Sequence, residues 1–194
     1  MKIERESYLP NALLESSIKQ SSGEPVSVSE IMATKPTLLL FVRHFGCIGC
    51  TENIARLSPR FSELSDLGVR IAIIGCGAPM FIEGFKERNH LIGLPVEVFT
   101  DESLAVHKLA DLKYDRWGAF RLRTRIEMIR AFVSGHVSGP IEGDIHQQAG
   151  AIFVDGSGVI RFYHRAESLG DHVDDIRLFD AALAACVNSH PELV

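Results

Sequence analysis

Cysteine is scarce in this chain. Four cysteines in 194 residues are too few for a disulfide scaffold, so each is read as catalytic, regulatory or buried. No apolar run approaches the ~20 residues needed to span a bilayer, so no membrane partner is expected. The charge balance is unremarkable, with 23% charged residues and a net charge of −5. Without a basic excess, nucleic acid is not an expected partner. No G-x-G-x-x-G phosphate loop occurs, and a bound nicotinamide cofactor is therefore not expected. There is no internal repeat and no low-complexity segment. The residues from Met1 to Glu6 are charged and lack the apolar centre of a signal peptide. That predicts a cytoplasmic protein, in a compartment that keeps thiols reduced.

What is present is a chain long enough for one sizeable core, read as a single domain over 1–194. Thr37 to Val42 is apolar on both faces and predicts a central strand covered on both sides. From about Cys50 to Leu67, Ile54, Leu57, Phe61 and Leu64 recur at helical spacing. Pro59 should kink that helix, and Gly68 should stop it. Val69 to Gly75 predicts a second buried strand, with a helix from about Pro79 that turns Phe81, Ile82 and Phe85 inward. Val96 to Thr100 predicts a third strand, and Asp101 caps a short helix over Glu102 to Leu109. Strand and helix alternate, which implies crossover connections and a mostly parallel sheet to this point.

Upstream of these elements the signals are weaker. Leu13, Leu14 and Ile18 suit an edge strand or a short helix. Val26 to Val28 suits a short strand, followed by one helical turn capped by Ser29. Downstream, residues 111–148 break the rhythm as an insertion with a helix over Arg121 to Val133. It carries Arg116, Arg121, Arg123, Arg125 and Arg130 beside Trp117, Phe120 and Phe132. These residues suit either a substrate lid or a solvated basic face. A strand over Ala149 to Val154, a turn at Asp155 to Gly158 and a returning strand over Val159 to His164 predict a hairpin. The last helix spans Asp174 to about Val187, with Ile176, Phe179, Leu183 and Val187 inward.

The chemistry concentrates in Phe41-Val-Arg-His-Phe-Gly-Cys-Ile-Gly-Cys50. A C-x-x-C where a buried strand hands over to a helix is the arrangement of thiol redox proteins. The thiolate is the reactive form, and a helix N-terminus favours negative charge. Two thiols three residues apart can also close on each other, so one resolves what the other has attacked. Two blander readings stand beside this one. The pair could be half of a zinc site, completed by Cys76 and a histidine, or two core cysteines. Arg43 is the candidate for lowering a thiol pKa. His44 should point to the opposite face, by strand alternation, in a structural role. Cys76, at the same sheet edge, suits a third redox thiol or a buried one, and Cys186 suits packing.

Together with Gln147-Gln-Ala-Gly150, Asp155-Gly-Ser-Gly158 and Gly170-Asp-His172, this stretch resembles the peroxiredoxin-like branch of the alkyl hydroperoxide reductase and thiol-specific antioxidant (AhpC/TSA) superfamily. That branch includes proteins of the prostamide/prostaglandin F synthase type. The resemblance covers roughly residues 14–187. It implies a thioredoxin-like α/β fold, with a central mixed sheet flanked by helices and a helical insertion before the C-terminal hairpin. It also implies a thiol-dependent oxidoreductase that reduces a small peroxide-like or disulfide substrate through a C-x-x-C dithiol/disulfide cycle, with Cys47, Cys50 and Arg43 as site residues. No bound cofactor is implied; electrons come from an external thioredoxin-like reductant or an NADPH-linked donor. A homodimer is allowed.

Laid over the family's pattern, the peroxidatic position falls on Cys50, the threonine position on Cys47 and the proline position on Arg43. The family's later arginine falls on Ala149, which leaves Arg43 or Arg161 to supply positive charge. Family logic makes Cys50 the attacker on peroxide, and this is the reading preferred here, whereas thioredoxin logic makes the more exposed Cys47 the attacker on disulfides. Two other functions remain: a redox-sensing or non-catalytic interaction module, and a specialised-metabolism enzyme acting on an endoperoxide-like substrate.

Overall fold

The segment Thr37-Leu-Leu-Leu-Phe41 has no polar face to give to water, and it lies at the centre of the molecule. In this computed structural model, which describes residues 2–116, 130, 133 and 142–189, it forms strand β3 and is buried throughout. The other strands are β1 (Ser17–Lys19), β2 (Pro25–Ser27), β4 (Arg70–Gly75), β5 (Glu97–Thr100), β6 (Gly150–Val154) and β7 (Ile160–Arg165). They make one seven-stranded sheet in the order β2-β1-β5-β4-β3-β6-β7. The three central strands β5, β4 and β3 are parallel. Antiparallel partners extend the sheet at both sides, β1 on β5 and β6 on β3. The sheet is therefore mixed, as expected of a thioredoxin-like fold.

Alternation along the strands builds two cores. Leu38, Leu40, Ile71 and Ile73 face one of them, with Ile54, Leu57, Phe61, Phe85 and Phe179 from the helices. Leu39, Phe41, Ala72 and Ile74 face the other, with Leu13, Ile31 and Val106. The helices are α1 (Asn11–Leu14), α2 (Val28–Met32), α3 (Ile48–Leu57), α4 (Phe61–Asp66), α5 (Ile82–Arg88), α6 (Ala105–Leu109) and α7 (Asp175–Ser189).

Several local expectations change in the folded chain. Helix α2 is capped by Ser27 rather than Ser29. The Ser27 hydroxyl accepts from the Glu30 amide while the Glu30 carboxylate accepts from the Ser27 amide, a closed capping box. The long helix starts at Ile48 instead of Cys50. Pro59 breaks it rather than bending it: a 3-10 turn over Ser58–Arg60 separates α3 from α4. The face of α7 is also rotated from the expected one. Leu178, Phe179, Ala182 and Cys186 are buried, whereas Ile176 and Leu183 are 68% and 48% exposed. The side chain of Val187 lies outside the described residues. So does most of the 111–148 insertion, including Trp117, Phe120, Arg121, Arg123, Arg125 and Phe132.

The helix after β5 starts at Ala105 rather than Glu102, with Leu104 as its N-cap residue, and Asp101 serves its first-turn amides from outside the helix. Its buried carboxylate accepts from the Ala105 amide, the Ser103 hydroxyl, the His107 amide and the His107 ring. Burial alone would raise its pKa, but these donors hold it below the usual carboxylate value. A depressed carboxyl stabilises the fold above its unfolded pKa, and that stability is lost as pH falls through the folded value. Asp101→Ala should therefore cost about 3 kcal/mol at neutral pH, since it orphans several buried donors. The variant should also lose part of the wild-type acid sensitivity below about pH 4. Urea unfolding as a function of pH checks both.

Candidate active site

At the carboxyl end of β3 the chain leaves the sheet as Val42-Arg43-His44 and turns at Phe45-Gly46 into α3. The turn is tied down from three sides. The Phe45 amide donates to the Glu142 carbonyl (3.2 Å). Arg88 donates to the Phe45 carbonyl (3.2 Å) and to the Glu142 carboxylate (2.7 Å). Cys47 is the N-cap residue of α3, and its amide donates to the His44 carbonyl (3.1 Å). Cys50 sits in the first turn. Between them, Gly49 packs against the loop before α7. A Cβ there would stand 2.7 Å from the Leu169 carbonyl oxygen, so the C-x-x-C interior admits glycine at this position.

Both cysteines are buried, with Cys47 4% and Cys50 3% exposed. Their electrostatics diverge. The Cys47 thiol is held well below the ordinary thiol range, first by a hydrogen bond from Cys50. Burial opposes this, and the positive charge of Arg43 assists it. The Cys50 thiol is pushed well above that range, first by its bond to Cys47, then by burial and the Cys47 charge. The two shifts are opposite in sign, so the pair titrates as a unit in which Cys47 is the more acidic thiol and Cys50 the less acidic.

Arg43 is 5% exposed. Its guanidinium is aimed by two backbone carbonyls. Nε donates to Gln147 O (3.1 Å) and Nη2 to Ile145 O (2.7 Å), leaving Nη1 3.9 Å from the Cys47 sulfur. Its amide donates to the Cys50 sulfur at 3.2 Å. One residue therefore touches both thiols, by side chain and by main chain. His44 is buried as well, with Nδ1 unpartnered. Burial lowers its pKa and keeps the ring neutral at physiological pH.

The other candidates resolve differently. Arg161 binds Asp155 (2.7 Å) and Glu6 in the hairpin. It supplies no charge to the thiols, which corrects the expectation for it. Ala149 lies just before β6 and packs against the first core cluster. Cys186 packs in the same cluster. Cys76 faces Arg43 O and Asp144. Among the described residues, no group of three or more His, Cys, Asp or Glu side chains is placed to hold a metal ion. His172 bonds Glu52 of α3 at 2.9 Å, and Arg130 of the insertion joins the same carboxylate at 3.1 Å.

The carbonyl cage around Arg43 left no mark in the sequence, because its acceptors are main-chain atoms of an irregular loop. The loop's one legible trace is Gly143, with φ of +133°. A Cβ at that position would overlap the Cys76 carbonyl. Gly143→Ala should therefore destabilise the protein by about 1–3 kcal/mol, read as a lowered thermal midpoint.

Residues 56–168 match the family described as AhpC/TSA antioxidant enzyme, a span of more than half of the chain. The chain belongs to the AhpC/TSA family. That span begins after Cys50, so membership rests on the surrounding fold and not on the dithiol. Among relatives of this AhpC/TSA chain, peroxiredoxin-like 2C of Takifugu rubripes is 26% identical over 164 residues, covering 78% of this chain and 71% of the relative. Prostamide/prostaglandin F synthase of Salmo salar is 28% identical over 165 residues, covering 80% and 78%. Among solved structures, reduced Prx3 of Vibrio vulnificus in complex with H2O2 superposes with a TM-score of 0.63. It is 17% identical and is covered over 99% of its length by 92% of this chain. Peroxiredoxin 6 of Arenicola marina gives 0.67 at 11% identity, covering 97% and 76%. These superpositions show the thioredoxin-like fold of the peroxiredoxins. Among the described residues, no helix is long and apolar enough to cross a membrane.

Proposed function

We propose that this chain is a thiol-dependent oxidoreductase that reduces a peroxide-like or disulfide substrate through a Cys47–Cys50 dithiol/disulfide cycle. The observation that carries this is a buried C-x-x-C at the N-terminus of α3 with one arginine against both sulfurs, supported by the opposite displacement of the two thiols. The Cys47 thiolate attacks one oxygen of a hydroperoxide. The O–O bond breaks, Cys47 becomes a sulfenic acid, and the leaving alkoxide or hydroxide takes a proton from solvent. Cys50 then attacks the sulfenic sulfur. Its proton leaves with the displaced hydroxyl as water, and the disulfide forms. An external thioredoxin-like reductant, or an NADPH-linked donor, returns two electrons and two protons.

With a disulfide substrate, the same thiolate forms a mixed disulfide that Cys50 resolves. Arg43 takes over the charge that an arginine at Ala149 would carry. We place this chemistry in one thioredoxin-like domain over 1–194, with 111–148 as an insertion, in the reducing cytoplasm. An endoperoxide is a second substrate class, because its O–O bond is open to the same attack and a relative is named prostamide/prostaglandin F synthase.

The test is a thiol count by intact mass before and after stoichiometric hydrogen peroxide. Loss of two thiols, reversed by thioredoxin, is expected. An unchanged count with hydrogen peroxide, a lipid hydroperoxide and a small disulfide would move the assignment to a non-catalytic interaction module.

A further inference from the structure

Cys76 is buried at the end of β4, next to the exit of β3, and the cycle above does not use it. Its sulfur is fully engaged. The thiol donates to the Arg43 carbonyl at 2.8 Å. The Asp144 amide donates to the sulfur at 3.3 Å. The sulfur is thus a two-way hydrogen-bonded bridge from the peptide after Arg43 to the loop whose carbonyls, Ile145 O and Gln147 O, aim the Arg43 side chain. Burial pushes the Cys76 thiol up to about 11, so at physiological pH it keeps the proton that this bridge requires. The same residue's carbonyl excludes any side chain at Gly143, which brings the loop close enough for the second half of the bridge.

We propose that Cys76 is a positioning residue for the dithiol. By clamping Arg43 O to Asp144 N, its thiol fixes the arrangement in which the Arg43 amide meets Cys50 and the guanidinium meets Cys47. The role depends on hydrogen bonding and not on sulfur redox chemistry, so a hydroxyl can replace the thiol. The consequence for catalysis rests on the oxidoreductase reading above. The consequence for Cys47 reactivity does not, because it is read without any substrate.

The test compares Cys76→Ala and Cys76→Ser in the full-length protein, by the pH dependence of Cys47 alkylation mapped by mass spectrometry. The alanine variant should raise the Cys47 pKa by about one unit, equivalent to about tenfold less thiolate at a fixed pH below that pKa. The serine variant should stay within about threefold of wild type. Wild-type reactivity in the alanine variant would overturn the proposal. So would an equal loss in both variants accompanied by equal thermal destabilisation, which packing alone would produce. A measurement on the wild type needs no variant to fold: the Asp144 amide should be protected from hydrogen exchange, and exchange at an unstructured-loop rate would overturn the bridge. Loss of turnover in Cys47→Ser with normal Cys47 alkylation in both Cys76 variants would retain the enzyme reading and reject this one.

Discussion

Cys47→Ser is expected to abolish peroxide reduction, whereas Cys50→Ser is expected to retain a single turnover. The asymmetry follows from the proton. In the native pair the Cys47–Cys50 interaction lowers the pKa of Cys47 and raises that of Cys50. A serine at 50 still offers an O–H to the Cys47 sulfur, so Cys47 stays activated and can be oxidised once. Its sulfenic acid then has no resolving partner at position 50 and persists long enough to be trapped by a carbon nucleophile. A serine at 47 removes the attacking thiolate, and Cys50 is left as a buried thiol whose desolvation still opposes ionisation. Peroxide consumption and intact mass after trapping, measured on both variants, check this. Trapped adduct on Cys50 in Cys47→Ser, with Cys50→Ser inert, would reverse the roles.

Arg43→Met should slow the reaction with peroxide by about 10- to 100-fold at neutral pH. A cation beside a thiolate is worth about one to three pKa units, and a carbonyl-anchored guanidinium cannot swing away to dilute that effect. Methionine keeps the bulk but leaves Ile145 O and Gln147 O without their donor, so a loss of stability accompanies the loss of rate. Arg43→Lys separates the two contributions. It retains the charge but lacks the fork that bonds both carbonyls at once, and it should recover part of the rate. The rates should converge at alkaline pH, where Cys47 ionises without assistance. Stopped-flow peroxide reduction across pH reads this directly, and a methionine variant that stays slow at every pH would assign Arg43 to transition-state charge instead of thiol activation.

Much of this could be read from the chain because its signals are local. A strand apolar on both faces, such as Thr37–Phe41, has one stable place, between two layers of helices. A C-x-x-C after such a strand sits at a helix N-terminus by construction. What could not be read is set by long-range, main-chain geometry. Strand alternation put Arg43 and His44 on opposite faces and left only one near a thiol. Yet β3 ends at Phe41, and both residues are buried in the irregular exit. The Arg43 cage comes from carbonyls over 100 residues away in sequence. Helix α7 carries two overlapping apolar faces, Ile176/Phe179/Leu183 and Leu178/Ala182/Cys186. Only the tertiary packing decided between them. Pro59 could be a kink or a break, and the 3-10 turn at Ser58–Arg60 resolved it.

The central claim is that one thiol of the pair is ionised and the other is not. The direct measurement is site-resolved alkylation of the reduced wild-type protein across pH, with Cys47 and Cys50 quantified separately by mass spectrometry. The two residues are almost equally buried, at 4% and 3% exposure, and alkylation of the unfolded protein gives the reference rate for each thiol. Cys47 should label first, at pH below the ordinary thiol range, with Cys50 following only above that range. Labelling of Cys50 first, or of both cysteines with one ordinary thiol midpoint, would contradict the account.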